Sequence, residues 1–256
     1  MLLFLLVSHP PVTASAAEGS AEAPFRHYSV LDGLTQSEVF DIEQDRAGYL
    51  WFTTARGLNR FDGKDFDHYT IADGLPTNSL TALHVAADNI VWVGDVKGGI
   101  TLVNGARVEH AIVPTSDEAT PITDIESVAE RYFVIAEGTG IHELTRGDAG
   151  FAFALVAGSE NIDATNLVVA GADVYVASGT GLYRLHIAGE PELEQLAESV
   201  RRVTVDTAGS LWAVDTDANI GKWSDGAFVP LDTLDTAEDF VSIATDHHGT
   251  VWVATN

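Results

Sequence analysis

The chain has 256 residues, 46% of them hydrophobic and 20% charged, which is enough apolar material for a packed core. Lys and Arg number 13 against 38 Asp and Glu, a formal net charge of −25. A field of that sign repels phosphate backbones and anionic bilayers, which argues against nucleic acid and lipid headgroups as partners. With no cysteine, a disulfide framework and thiolate metal sites are excluded.

In chain order, Leu2–Val7 is an apolar run too short to span a bilayer, which needs ~20 residues. Pro10, Pro11 and an A-x-A pattern at Ala14 and Ala16 follow. Residues 1–16 therefore read as a signal peptide despite a missing basic start, the alternative being a frayed terminus. Residues 17–24 read as a spacer, and 25–256 as one repeat domain, incomplete at its C-terminal end.

The repeat is set by bulky residues inside apolar runs: Trp51, Trp92, Phe133, Tyr175, Trp212 and Trp252, spaced 41, 41, 42, 37 and 40 residues apart. A period near 40 with strand-type content indicates an all-β β-propeller of four-stranded antiparallel blades. The count gives about five complete blades plus a partial one, within a ring of seven. One period shows the parts. SLTALHVAA (79–87) alternates as a strand, Asp88-Asn89 turns, and IVWVGDV (90–96) is nearly all apolar. Gly98-Gly99 then turns into ITLV, and Asn104-Gly105 is a hairpin signal before ARVEHAIV. The bulky second-strand residues are expected in the core between blades, not on a sugar-stacking platform. PELEQLAES (191–199) is the one helix-like stretch and is expected to bridge two blades.

FRHYSVLDGL (25–34) and FDHYTIADGL (66–75) share F-x-H-Y and D-G-L. The second copy ends blade 1, so the first is expected to be a fourth strand that closes the last blade. The chain itself ends in VWVATN, inside a second strand.

Residues 25–63 make the repeat specific. DGL (32–34), VFDIEQD (39–45), GYLWFTT (48–54) and GLNRFDG (57–63) resemble the two-component regulator propeller repeat. Later blades drift from it: Phe133 and Tyr175 replace Trp, and 215–221 reads DTDANIG. The resemblance implies an extracytoplasmic sensor module of hybrid histidine kinases or diguanylate cyclases. In that family an immunoglobulin-like domain, a membrane helix and a cytoplasmic output domain follow. None is encoded here, so the chain is expected to be a receptor fragment, periplasmic or extracellular, without enzyme activity of its own.

No catalytic constellation, cofactor motif or metal site stands out. Asp215, Asp217 and Asn219 begin like a calcium loop, but the sixth place is Ile220 and the twelfth Gly226. His247-His248 are neighbours whose side chains diverge on a strand. The GTG triplets at 138–140 and 179–181 precede no helix and read as turns. A ligand is expected on the face formed by turns after second strands and before first strands, where Gln36, Arg56, Asn78 and Lys97 fall. Arg56 and Lys97 occupy equivalent places and suit a carboxylate or acidic sugar. The partner would be a small molecule or glycan fragment, with a second propeller or receptor copy. A propeller lyase or glycan hydrolase and a protein-interaction scaffold are the alternatives.

Overall fold

Each period folds as the pattern predicts. The computed structural model describes residues 3–7, 28–105, 107–112, 120–147, 150–198, 200–217, 219–224, 226–230, 240–245 and 251–255. Blade 1 holds β2 (Val39–Gln44), β3 (Leu50–Thr54), β4 (Gly57–Phe61) and β5 (Phe66–Tyr69). Blade 2 holds β6 (Leu80–Val85), β7 (Val91–Asp95), β8 (Gly99–Asn104) and β9 (Arg107–Ile112). Blade 3 holds β10 (Ile122–Val128), β11 (Arg131–Ala136), β12 (Gly140–Gly147) and β13 (Gly150–Leu155). Blade 4 holds β14 (Ala164–Ala170), β15 (Asp173–Ser178), β16 (Gly181–His186) and β17 (Glu192–Ala197). Blade 5 holds β18 (Val200–Val205), β19 (Leu211–Asp215), β20 (Ile220–Ser224) and β21 (Ala227–Pro230). All five are four-stranded antiparallel sheets in sequential order. The sixth sheet pairs β22 (Phe240–Thr245) with β23 (Val251–Thr255), and β1 (Leu3–Val7) lies antiparallel on the other edge of β23. The apolar N-terminal run thus stands in the third-strand place, where the sequence suggests only two strands.

The core lies between sheets. Trp51 packs with Leu80, Leu83 and Val93 of the next blade. Trp92 packs with Ile122, Ile125 and Val134, its ring stacked 4.0 Å from Tyr132. Phe133 packs with Leu167, Val174 and Val176. Blades 4 and 5 share a cluster around Ala177, Leu182, Val203 and Ala213, and blade 5 and the sixth sheet another around Val214 and Ile243. At ~25 cal/mol per Å², each buried Trp contributes on the order of 4 kcal/mol. Trp51, Trp92 and Phe133 are buried as predicted, Tyr175 and Trp212 are half-buried, and the Trp252 side chain lies outside the described residues.

Two elements differ from expectation. Residues 192–197 form β17, the fourth strand of blade 4, not a helix. Pairing with β16, with Leu193 opposite Leu185 and Glu194 ion-paired to Arg184, outweighs the helix preference of a segment too short to nucleate alone. Tyr28 and Ser29 belong to no strand, and Val30–Asp32 is a 3₁₀ turn; residues 25–27 lie outside the described residues. The backbone there is claimed by a capping box: Ser29 Oγ accepts from Leu31 N, while Asp32 accepts from Ser29 N and Oγ at 2.9 Å. Thr70 and Asp73 repeat these bonds one period later. The duplicated D-G-L is thus a capped turn whose leucine, Leu34 or Leu75, is buried. Tyr28 packs edge-on against Phe61 and Phe66 of blade 1.

The D-x-x-G-x-x-W stretches share one geometry. Asp45 Oδ1 accepts from the amides of Ala47 and Tyr49, and Oδ2 from the Trp51 indole at 2.8 Å. Asp206 does the same for Ala208, Ser210 and Trp212. In blade 2 the place of the aspartate is taken by Ala86, and the buried Trp92 indole N–H has no partner.

Candidate functional site

Every first strand shifts register by one residue at the same place: between Val39 and Asp41, Leu80 and Ala82, Ile122 and Asp124, Ala164 and Asn166, Val200 and Arg202, and Phe240 and Ser242. Such bulges bend the strand and re-aim its side chains. Here they sew neighbouring blades together. The bulged Thr81 and Thr165 donate to Ile122 O at 2.6 Å and Arg201 O at 3.0 Å. The next residues reach amides of the following blade. Asp41 accepts from Leu83 N, Asp124 from Leu167 N and Asn166 from Val203 N, at 2.6–2.9 Å.

Two residues beyond the bulge, Glu43 accepts from Val85 N. The buried His84 places Nδ1 3.5 Å from Glu43 and 3.7 Å from Glu126, and its Nε2 is 2.7 Å from Ser127 Oγ. Burial, with like charges beside it, pushes Asp41 up to about 7 and Glu126 up to about 8. Burial likewise pushes Asp124 up to about 6, against its amide hydrogen bonds. His84 is raised: burial opposes its charge, but the Glu43 and Glu126 carboxylates outweigh it. The cluster was legible in the sequence, because Asp-Ile-Glu occurs at 41–43 and again at 124–126, with the acids at strand period. Amide hydrogen bonds already use Asp41, Glu43 and Asp124, so the cluster's first role is to join blades 1 to 4.

Blade 5 is different. Its bulge carries Arg201 and Arg202 in succession. Both line a cleft of about 340 Å³ with Thr165, Ser178, Gly179 and Thr216. Arg202 Nη1 donates to Thr165 O at 3.0 Å, which fixes that guanidinium. Burial lowers its pKa, with Asp124 opposing and Arg201 reinforcing. The lining comes from the start of first strands and the turns after second strands, the face the repeat pattern favours for a ligand.

The four residues chosen from sequence stand on that same face, in blades 1 and 2. Gln36 has a buried side-chain oxygen without a partner. Arg56 is exposed, its backbone amide bonded to Thr54 Oγ1. Asn78 Oδ1 is committed to the Ile71 amide at 2.9 Å. Lys97 is exposed and lines a smaller cavity of about 100 Å³ with Pro76, Thr77, Asp95, Gly99 and His110. Among the described residues no hydrogen bond or ion pair joins these four to one another. The pairing of Arg201 and Arg202 is not legible in the sequence, because adjacent strand residues normally diverge and only the register shift brings them together. Asp215 of the calcium-like stretch caps its own turn through Asp217 N and Asn219 N, and the GTG triplets are the expected turns. His247 and His248 lie outside the described residues.

Residues 33–56, the duplicated turn and first two strands of blade 1, match the two component regulator propeller family. The match covers that turn and β2 and β3 alone. A 45-residue stretch of the chain is 53% identical to Histidine kinase P4 of Formosa agariphila, covering 18% of this chain and 3% of that protein. The extracellular domain of a hybrid two component system from B. thetaiotaomicron superposes with a TM-score of 0.66 at 20% identity, over 90% of this chain and 34% of that chain. Virginiamycin B lyase from Staphylococcus aureus superposes at 0.68 and 12% identity, over 88% and 82%. At these identities the structural likenesses establish the propeller fold alone. Among the described residues, no helix is long and apolar enough to cross a membrane.

Proposed function

We propose that this chain is the extracytoplasmic sensor propeller of a bacterial signal-transduction receptor, binding a small solute on the face that carries the first-strand bulges. The observation that carries the reading is the two-component regulator repeat at residues 33–56, built into a propeller that also offers a solute-sized cleft. About 340 Å³ sits at the lower end of small-molecule sites, ~300–1,000 Å³. Inter-blade bonds hold the face rigid while its loops stay open to solvent, which is the arrangement a recognition surface needs. Kinase or cyclase output would belong to other parts of the receptor. The test is a thermal-shift screen of the purified chain against sugars, uronic acids and small organic acids. A saturable upward shift for one chemical class supports the reading, and a flat response across the panel contradicts it.

A second reading has one observation in its favour: carboxyls titrating near neutrality beside His84, in a fold that also serves a lyase. It predicts that the purified chain converts one of the same solutes to product, read by chromatography of the incubated solute, and that His84→Gln abolishes the conversion.

A further inference from the structure

We propose that the cleft between blades 4 and 5 binds a solute through an oxyanion — a carboxylate, sulfate or phosphate group — held by Arg201 and Arg202. The proposal deepens the sensor reading above and rests on it. On a regular strand two successive side chains point to opposite faces, and one cleft would see only one of them. The extra residue at the Val200/Arg202 register shift removes that alternation, and both arginines line the same cleft. Elsewhere the bulge pairs read Phe40-Asp41, Thr81-Ala82, Thr123-Asp124 and Thr165-Asn166, so the double cation belongs to blade 5.

Charge pairing points the same way. Acids outnumber Lys and Arg 38 to 13, and Arg60, Lys64, Arg131, Arg184 and Lys222 each have a carboxylate partner. Among the described residues Arg201 and Arg202 have no ion pair, a state they share with Arg46, Arg56 and Lys97. Asp124 acts on Arg202 from beyond ion-pair distance, and the cleft lining itself holds no carboxylate. The remaining lining is three hydroxyl residues, Thr165, Ser178 and Thr216, and Gly179, whose Cβ position lies 3.4 Å from Asp163 Oδ2. Arg202 is held by Thr165 O while Arg201 is exposed, so one guanidinium is fixed and the other is free to close on a ligand. Guanidinium forks match planar and tetrahedral oxyanions. Thr165 already donates to Ala177 O and Arg201 O and the buried Ser178 to Gly181 O, which leaves the exposed Thr216 hydroxyl to contact a polyhydroxylated body. The chain's net charge of −25 repels anions at long range, so binding depends on these short contacts.

The experiment is calorimetric titration of the full chain with glucuronate, glucose 6-sulfate, inorganic sulfate, inorganic phosphate and neutral glucose. The proposal expects saturable binding of one or more anions, at least tenfold tighter than glucose and weakened by added NaCl. The sugar-borne and inorganic arms show whether the sugar body contributes. Arg201→Ala is expected to weaken anion binding roughly tenfold, with an unchanged melting temperature for the free protein, and Arg201→Lys to recover part of the loss. Arg202→Gln gives a second test at the fixed guanidinium. Anion binding that survives both Arg201→Ala and Arg202→Gln overturns the proposal. So does glucose binding as tightly as the anions, although the sensor reading then stands. If none of these probes binds, this proposal falls, while the wider panel of the thermal-shift screen separately decides the sensor reading.

Discussion

Trp92 shows how one missing residue acts in a repeat. Aspartate stands six residues before tryptophan at 45/51, 206/212 and 246/252, and it is absent where the anchor is Phe133 or Tyr175, which have no indole to satisfy. Ala86 breaks that pairing and leaves the Trp92 N–H buried without an acceptor. The backbone turn is the same, with Ala86 N bonded to Ile90 O and Asn89 at φ +66° in the place of Gly48. Ala86→Asp is therefore expected to stabilise the protein by about 1 kcal/mol, read as a later denaturant midpoint. Asp45→Ala is expected to cost about 2 kcal/mol, since two amides and an indole lose their acceptor. The carboxylate cluster around His84 gives a pH prediction. Asp41, Asp124, Glu126 and His84 all have raised folded pKa values, with Glu43 and Arg202 facing the same group. Raised values mean that the folded state holds more protons than the unfolded one. Their stability is complete below about pH 4 and is lost as pH rises through about 6 to 8. Denaturation midpoints should be higher near pH 5 than near pH 8. Glu126→Gln should flatten the difference, and a midpoint rising over that range would contradict the assignment.

At the scale of elements, close approach decides what the turns tolerate. Gly57 opens the third strand of blade 1 at φ +127°, and an added Cβ would lie 2.6 Å from Tyr69 O at the end of the fourth strand. Gly57→Ala is expected to cost about 3 kcal/mol from strain plus the clash. Gly226, at φ +79° with no atom within 4 Å of its Cβ, should cost only about 1 kcal/mol on the same change. Thermal melts of the two variants give the comparison. The same scale explains the misreadings. Residues 192–197 have a helix-like composition, but pairing with β16 puts Leu193 in the cluster shared with blade 3 and Leu196 in the one shared with blade 5. The 28–32 segment looks like a strand because its twin follows one, yet its Ser29–Asp32 capping box specifies a turn. The first case turns on a pairing partner outside the stretch, β16, and the second on a Ser-x-x-Asp cap within it.

For the whole molecule, the period of bulky residues was sufficient to place five four-stranded sheets, because each sheet must bury both faces against neighbours. The loop face was also legible, since strand and turn positions recur. The cleft within that face was not, because it depends on a one-residue register shift that aims Arg201 and Arg202 together. The central claim is that this face receives a solute. Amide NMR titration of the purified chain, using the solute that gives the largest thermal shift, tests it most directly. Perturbed resonances are expected to cluster on Thr165, Gly179, Arg201, Arg202 and Thr216 and on the turns beside them. Perturbations confined to the outer fourth strands would contradict it.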